Sequence, residues 1–200
     1  MRKILTFISL FLLLCISACS SKLMSPVQHD QIRQLDENTS RITFYRSSII
    51  GSTVQAPIVE AINNDIKFCG IASSSTRFHY LVNPGEHTFV VGGESGSILK
   101  ADIVPGKNYY VQVIPMLGLW KARFCLEPMS RKQLEDPEVK DEIQKCDLVQ
   151  ANSAAESWFK ENYSSMKDKL SKGIRKFNNT KEEKKSKFIL SKDDCIDELY

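Results

Sequence analysis

Residues 41–126 repeat one pattern: short stretches rich in β-branched and aromatic residues, each closed by Gly, Pro, Asn or Ser. This constrains the fold more than any other feature of the sequence. Stretches so short make poor helices, but as strands they can send alternate side chains to one buried face. The pattern predicts strands over residues 41–46, 55–62, 66–71, 76–82, 87–91, 97–104, 108–114 and 119–126. Many short strands with turn signals between them point to a mainly β fold. The expected architecture is a small β-sandwich of about seven to eight strands over residues 40–129, with a C-terminal helical extension.

Two turns make the register testable. Asn83-Pro84-Gly85-Glu86 suits a type II turn, with Pro second and Gly third. A two-residue loop there pairs Val82 with His87 and Tyr80 with Phe89. Phe78, Tyr80, Val82, His87, Phe89 and Val91 then share one nearly continuous apolar face. At Val104-Pro105-Gly106-Lys107, a two-residue loop would instead set Leu99, Ala101 and Ile103 on the face opposite Tyr109, Val111 and Val113. An odd-length connection or a bulge is therefore expected at Pro105-Gly106-Lys107.

Three segments carry a resemblance. They are Ile42-Thr43-Phe44-Tyr45-Arg46, Leu81-Val82-Asn83-Pro84-Gly85-Glu86-His87-Thr88 and Val104-Pro105-Gly106-Lys107-Asn108-Tyr109-Tyr110-Val111. Together they resemble the bacterial domain of unknown function 2846 family, often found in lipoproteins. The likeness spans roughly residues 40–130. Where that family usually turns on Asp-Gly-Lys, this chain has Asn63-Asn64-Asp65. The resemblance implies an all-β sandwich and carries no known catalytic residue.

The N-terminus sets an expectation about compartment. Arg2 and Lys3 precede an apolar run over residues 4–14, interrupted by Thr6 and Ser9. The run falls short of the roughly 20 residues a membrane-spanning helix needs, and has the length of a signal-peptide core. The following Cys15-Ile16-Ser17-Ala18-Cys19 resembles the lipobox of bacterial lipoproteins. Residues 1–18 are then a cleaved signal peptide, Cys19 bears the lipid, and residues 19–39 form a lipidated N-terminus and tether. A plain secretory signal with a chance cysteine is the alternative. Ser20 after the lipid cysteine accompanies outer-membrane sorting in Gram-negative bacteria, which would place the chain in the cell envelope, facing the periplasm. The expected partners are the membrane, through the lipid, and another envelope protein. Nucleic acid is not expected, because 27 basic and 24 acidic residues are interspersed at a net charge of +3.

With Cys15 in the signal, Cys69, Cys125, Cys146 and Cys195 remain. Four cysteines in an oxidising compartment suggest disulfides, with Cys69–Cys125 and Cys146–Cys195 the favoured pairing among three. Free buried thiols are the alternative. The wide spacing, with no C-x-x-C, argues against zinc, and no metal or cofactor is expected.

Residues 130–178 read as the helical extension. Asp136-Pro137-Glu138 has a capping Asp and Pro at the first helical position, predicting a helix to about residue 146. Ser153-Ala154-Ala155-Glu156 has capping-box spacing. Phe159, Tyr163, Met166, Leu170, Ile174 and Phe177 then share one helical face, with Gly173 putting the last turn in question. That face packs either on the sandwich or on a membrane or partner, the latter aided by Lys160, Lys167, Lys169 and Lys172. Residues 179–200 read as a charged tail, with a mobile Lys- and Glu-rich run over residues 180–187 and a short docking segment at Phe188-Ile189-Leu190.

Catalytic patterns are sparse. His29 falls in the tether, while His79 and His87 fall on opposite faces of their expected hairpin, which speaks against a shared metal or a dyad. His87 reads as a satisfied residue at the core edge. Gly92-Gly93-Glu94-Ser95-Gly96 lies between strands and reads as a hairpin tip. There is no Gly-x-Ser-x-Gly elbow, phosphate loop or His-Glu-x-x-His. The leading expectation is a non-enzymatic structural or protein-interaction module of the envelope. One alternative is a lipoprotein that binds a small ligand or glycan through Tyr109, Tyr110, Trp120 and His79. The other is a cryptic hydrolase.

Overall fold

A computed structural model describes residues 23–28, 32, 34–63, 65–93, 96–116 and 123–197. Its strands are β1 (Met24–Pro26), β2 (Ser40–Arg46), β3 (Ala56–Ile62), β4 (Asp65–Ala72), β5 (Thr76–Val82), β6 (Gly85–Val91), β7 (Ser97–Ile103), β8 (Asn108–Met116), β9 (Arg123–Pro128), β10 (Asp147–Ala151) and β11 (Ile189–Leu190). The helices are α1 (Arg131–Leu134), α2 (Pro137–Gln144), α3 (Ser153–Asn178) and α4 (Glu182–Lys185). The strands form a six-stranded sheet, β1-β10-β5-β2-β8-β9, facing a five-stranded sheet, β11-β7-β6-β3-β4. The fold is a β-sandwich with a helical extension, as expected.

Alternation builds the core. Ile42 and Phe44 from β2, Phe78 and Tyr80 from β5, and Tyr109 and Val111 from β8 meet Ile58, Phe89, Val91, Leu99 and Ile103 of the other sheet. Phe44 stacks on Phe78 at 5.3 Å within its own sheet and meets Phe89 edge-on at 5.5 Å across the gap. Burial of such aromatic and aliphatic side chains contributes about 1.5–3 kcal/mol each.

Both Pro-Gly turns differ from expectation. β5 belongs to the six-stranded sheet and β6 to the five-stranded one, and β7 and β8 are divided in the same way. Each turn is thus a crossover between layers, not a hairpin. Val82 pairs with Ser40 rather than His87, and His87 with Ala101. Tyr80 and Phe89 do meet, with ring centroids 6.0 Å apart, but across the core. The reason is that period-two alternation says which side chains point inward. Two strands in facing layers satisfy it as well as two strands in one ladder. Gly85 (φ 122°) and Gly106 (φ 71°) provide the left-handed backbone of the two crossovers. The bulge expected at residues 105–107 is not needed there. One occurs instead in the β3–β4 hairpin, where Ile58 pairs with Gly70 and Val59 with Phe68, leaving Cys69 unpaired. That hairpin closes with Ile62 opposite Asp65, and Asn63 at φ 55° suits a primed turn.

The C-terminal third joins the body. Met166 and Leu170 of α3 pack with Val59, Ile66, Val90 and Ile98 on the outer face of the five-stranded sheet, flanked by Phe159, Tyr163 and Phe177. Its cap is Asn152 rather than Ser153: the Asn152 side chain accepts from the Ala154 and Ala155 amides. The helix runs through Gly173, which packs so closely on the sheet that an added Cβ would stand 2.9 Å from Ile98. Asp136 caps α2 with Pro137 at its first position, as expected. Leu134 and Ile143 of α1 and α2, with Met129 and Cys146, cover Tyr45 and Tyr110 on the outer face of the six-stranded sheet. Within the stretch read as a charged tail, Ile189 and Leu190 of the expected docking segment form β11, which runs parallel to β7, and Ile196 bridges to Asn108. Part of the stretch read as tether is β1, laddered to β10. No helix among the described residues is long and apolar enough to cross a membrane.

Candidate functional site

The residues expected to touch a ligand do not come together. Tyr109 and Tyr110 are fully buried and, as neighbours in one strand, face opposite sides of their sheet. Tyr109 points into the core, where its hydroxyl accepts from the Val104 amide at 3.0 Å and donates to the Lys192 carbonyl at 3.3 Å. Burial first, with nearby Cys195, pushes its hydroxyl up to about 12. Tyr110 lies under α1 and α2. His79 sits on the outer face of the six-stranded sheet, its Nδ1 3.0 Å from Thr43 Oγ1. Burial, reinforced by the charges of Arg41 and Arg77, pushes its imidazole down to about 3, so it is neutral at ordinary pH. Cys19, His29 and Trp120 lie outside the described residues.

The four cysteines are free thiols, so neither expected disulfide forms. They sit in separate surroundings. Cys69 occupies the β3–β4 bulge, Cys125 lies 3.9 Å from Ser97 Oγ, Cys146 packs beneath α2, and Cys195 packs into the main core. Burial is the first cause that raises the Cys69 and Cys125 thiols, and it takes Cys146 to about 11. All three are therefore protonated and poor nucleophiles near neutrality. Among the described residues, no group of three or more His, Cys, Asp or Glu side chains could hold a metal ion.

A polar cluster that sequence reasoning missed closes one pole of the sandwich. Glu60 extends the inward-facing row of β3 and is almost wholly buried. It accepts from Tyr80 Oη and from His87 Nδ1, each at 2.5 Å, while His87 Nε2 donates to the Asn83 carbonyl at 2.8 Å. Burial alone would raise the Glu60 carboxyl, but the bonds from His87 and Tyr80, with the charges of His87 and Lys67, hold it below its ordinary value. The bond to Glu60 raises His87 against the opposing effect of burial. The result is an ion pair that ties the β5–β6 crossover to β3. A cleft of about 380 Å³ opens in front of it, reaching Lys67 and Glu86. Chemically the cluster is closed: with both imidazole N–H groups donated, His87 has no lone pair free to act as a base.

The opposite pole has another character. The β2–β3 connection, residues 47–55, carries no charged residue and exposes Ile49 (75 %), Ile50 (61 %) and Val54. Met116, exposed by 53 %, ends β8 at the same pole, because β8 runs parallel to β2 with Gln112 beside Tyr45. Among the described residues, the other large exposed apolar side chains, Ile62, Ile174 and Ile189, belong to separate elements. The loop is anchored from within. Arg46 is fully buried, and its guanidinium donates to the carbonyls of Val54 (2.7 Å), Ile50 (2.8 Å) and Gly51 (2.8 Å) while lying 5.0 Å from the centroid of the Phe124 ring. Burying a guanidinium is costly unless its N–H groups are satisfied. Here the two terminal nitrogens are bonded and hold an exposed apolar loop in one shape, while the buried Nε has no hydrogen-bond partner among the described residues. The adjacent isoleucines in a neutral Ser- and Thr-rich segment were a visible signal, but Arg46 reaching three later carbonyls was not.

Comparison of the chain with protein-family models, with curated proteins and with solved structures finds no match.

Proposed function

We propose that the chain is a lipid-anchored protein of the bacterial cell envelope that acts without catalysis, binding another envelope protein through the Arg46-held loop. The resemblance to the domain of unknown function 2846 family, the signal peptide, the lipid on Cys19 and the outer-membrane location belong to the same proposal. What carries it is the exposure of Ile49 and Ile50 on a loop that a buried arginine holds rigid. A fixed apolar patch loses little conformational entropy on docking, and apolar clusters of this kind mark interaction sites. Because residues 47–55 are uncharged, the fitting partner surface is an uncharged, apolar region of a protein. The closed Glu60–His87 pair and the protonated thiols favour this reading over a hydrolase. The burial of Tyr109 and Tyr110 favours it over a ligand site built on them.

The test is crosslinking in living cells with the wild type, Cys19→Ala and the double variant Ile49→Ser/Ile50→Ser. A discrete crosslinked species should form with the wild type and fall at least tenfold in both variants. The double variant should keep its melting temperature. Equal crosslinking by wild type and double variant would reject the loop as the binding surface.

A further inference from the structure

The ladder of β1 leaves almost no free tether. Met24 is already paired with Ala151, Leu23 packs on the core, and the Leu23 carbonyl accepts from the Asn152 amide at 3.3 Å. Only Ser20, Ser21 and Lys22 separate Cys19 from that body. Four residue steps span at most about 14 Å when fully extended.

The strand directions identify the pole from which this tether leaves. β1 is antiparallel to β10, and β10 is parallel to β5 with Asp147 beside Thr76. Chain entering β1 at Met24 therefore arrives from the pole where β5 ends. There lie the two Pro-Gly crossovers and the Glu60–His87 pair. β2 runs antiparallel to β5, so Arg46 and the loop that follows it are at the other pole. The nine residues of β8, parallel to β2, set the height between the poles at about 30 Å.

We infer that the lipid holds the domain with its Pro-Gly pole against the membrane and displays Ile49 and Ile50 at the far pole, facing the aqueous compartment. This rests on Cys19 being the lipid-bearing residue. It narrows the partner to a protein whose binding surface reaches the loop from the aqueous side. The lipid, not the apolar loop, supplies the membrane contact.

The test uses the full-length lipidated protein in vesicles of phosphatidylethanolamine and phosphatidylglycerol carrying an acceptor dye on a headgroup. Ketone-bearing residues introduced at Thr53, at the far pole, or Glu86, at the near one, accept a donor dye without involving the native thiols. Energy transfer should place position 53 farther from the membrane by roughly 25 Å. A flexible Gly-Ser insertion of about twenty residues between Lys22 and Leu23 should erase most of that difference. Lipidated, vesicle-bound protein with equal heights, or with position 53 nearer, overturns the orientation and leaves the anchor standing. Protein with no lipid on Cys19 by mass spectrometry overturns both.

Discussion

Buried charged side chains serve two different ends. Arg46 donates three charge-assisted bonds to carbonyls of a single loop, so its burial fixes that loop rather than the core. His87 and Glu60 fix a crossover, and their contribution depends on pH. The His87 pKa is raised, so its stabilisation is complete below the ordinary imidazole value of 6.5 and is lost as pH rises through the folded-state value. The Glu60 pKa is lowered, so its stabilisation is complete above the ordinary carboxyl value of 4.5 and is lost as pH falls through the folded-state value. Between 4.5 and 6.5 both contributions are complete. His87→Gln should therefore cost about 1–2 kcal/mol in that window and progressively less toward alkaline pH. Thermal unfolding of both proteins across pH 5 to pH 9 checks this, and parallel curves would refute it. The inward register of Glu60 could be read from β3, but its partners could not. Tyr80 and His87 come from two strands joined by a turn whose course alternation left open.

Among the elements, short strands were the most legible. From β2 to β7 every expected strand is present with ends shifted by at most a residue or two, because each is a short run rich in β-branched and aromatic residues bounded by turn residues. What alternation could not convey was the assignment of strands to layers. β1 and β11 have only three and two residues, too few for any pattern, and exist because an edge of a larger sheet was available to them. Helix α3 shows how a residue that looks like a breaker can be a packing requirement. A Cβ on Gly173 would lie 2.9 Å from Ile98 and 3.3 Å from the Gly96 carbonyl, and one on Gly96 would lie 2.4 Å from the Lys169 carbonyl. Gly173→Val should therefore destabilise the protein by about 1–3 kcal/mol even though valine is the better helix former. Faster amide exchange in β7 and the second half of α3 should accompany the loss. Unchanged stability would mean that the helix does not approach the sheet this closely.

For the whole molecule, the boundaries read from composition were too restrictive. The residues assigned to tether and tail supply strands at opposite edges of the sandwich, β1 on one sheet and β11 on the other. Their charged, low-pattern sequences hid this, since an edge strand needs backbone pairing more than an apolar face. The resulting body has a polar, closed pole built on Glu60 and His87 and an apolar, exposed pole built on Arg46 and the β2–β3 loop. The apolar pole is the proposed surface for partner binding. The most direct measurement is site-specific photocrosslinking in living cells, with the photoreactive residue at Thr53 in one strain and at Glu86 in another, both positions being exposed. One discrete adduct is expected from position 53, absent from position 86 and lost when Ile49 and Ile50 are changed to serine. An adduct from position 86 with none from position 53 would contradict the proposal.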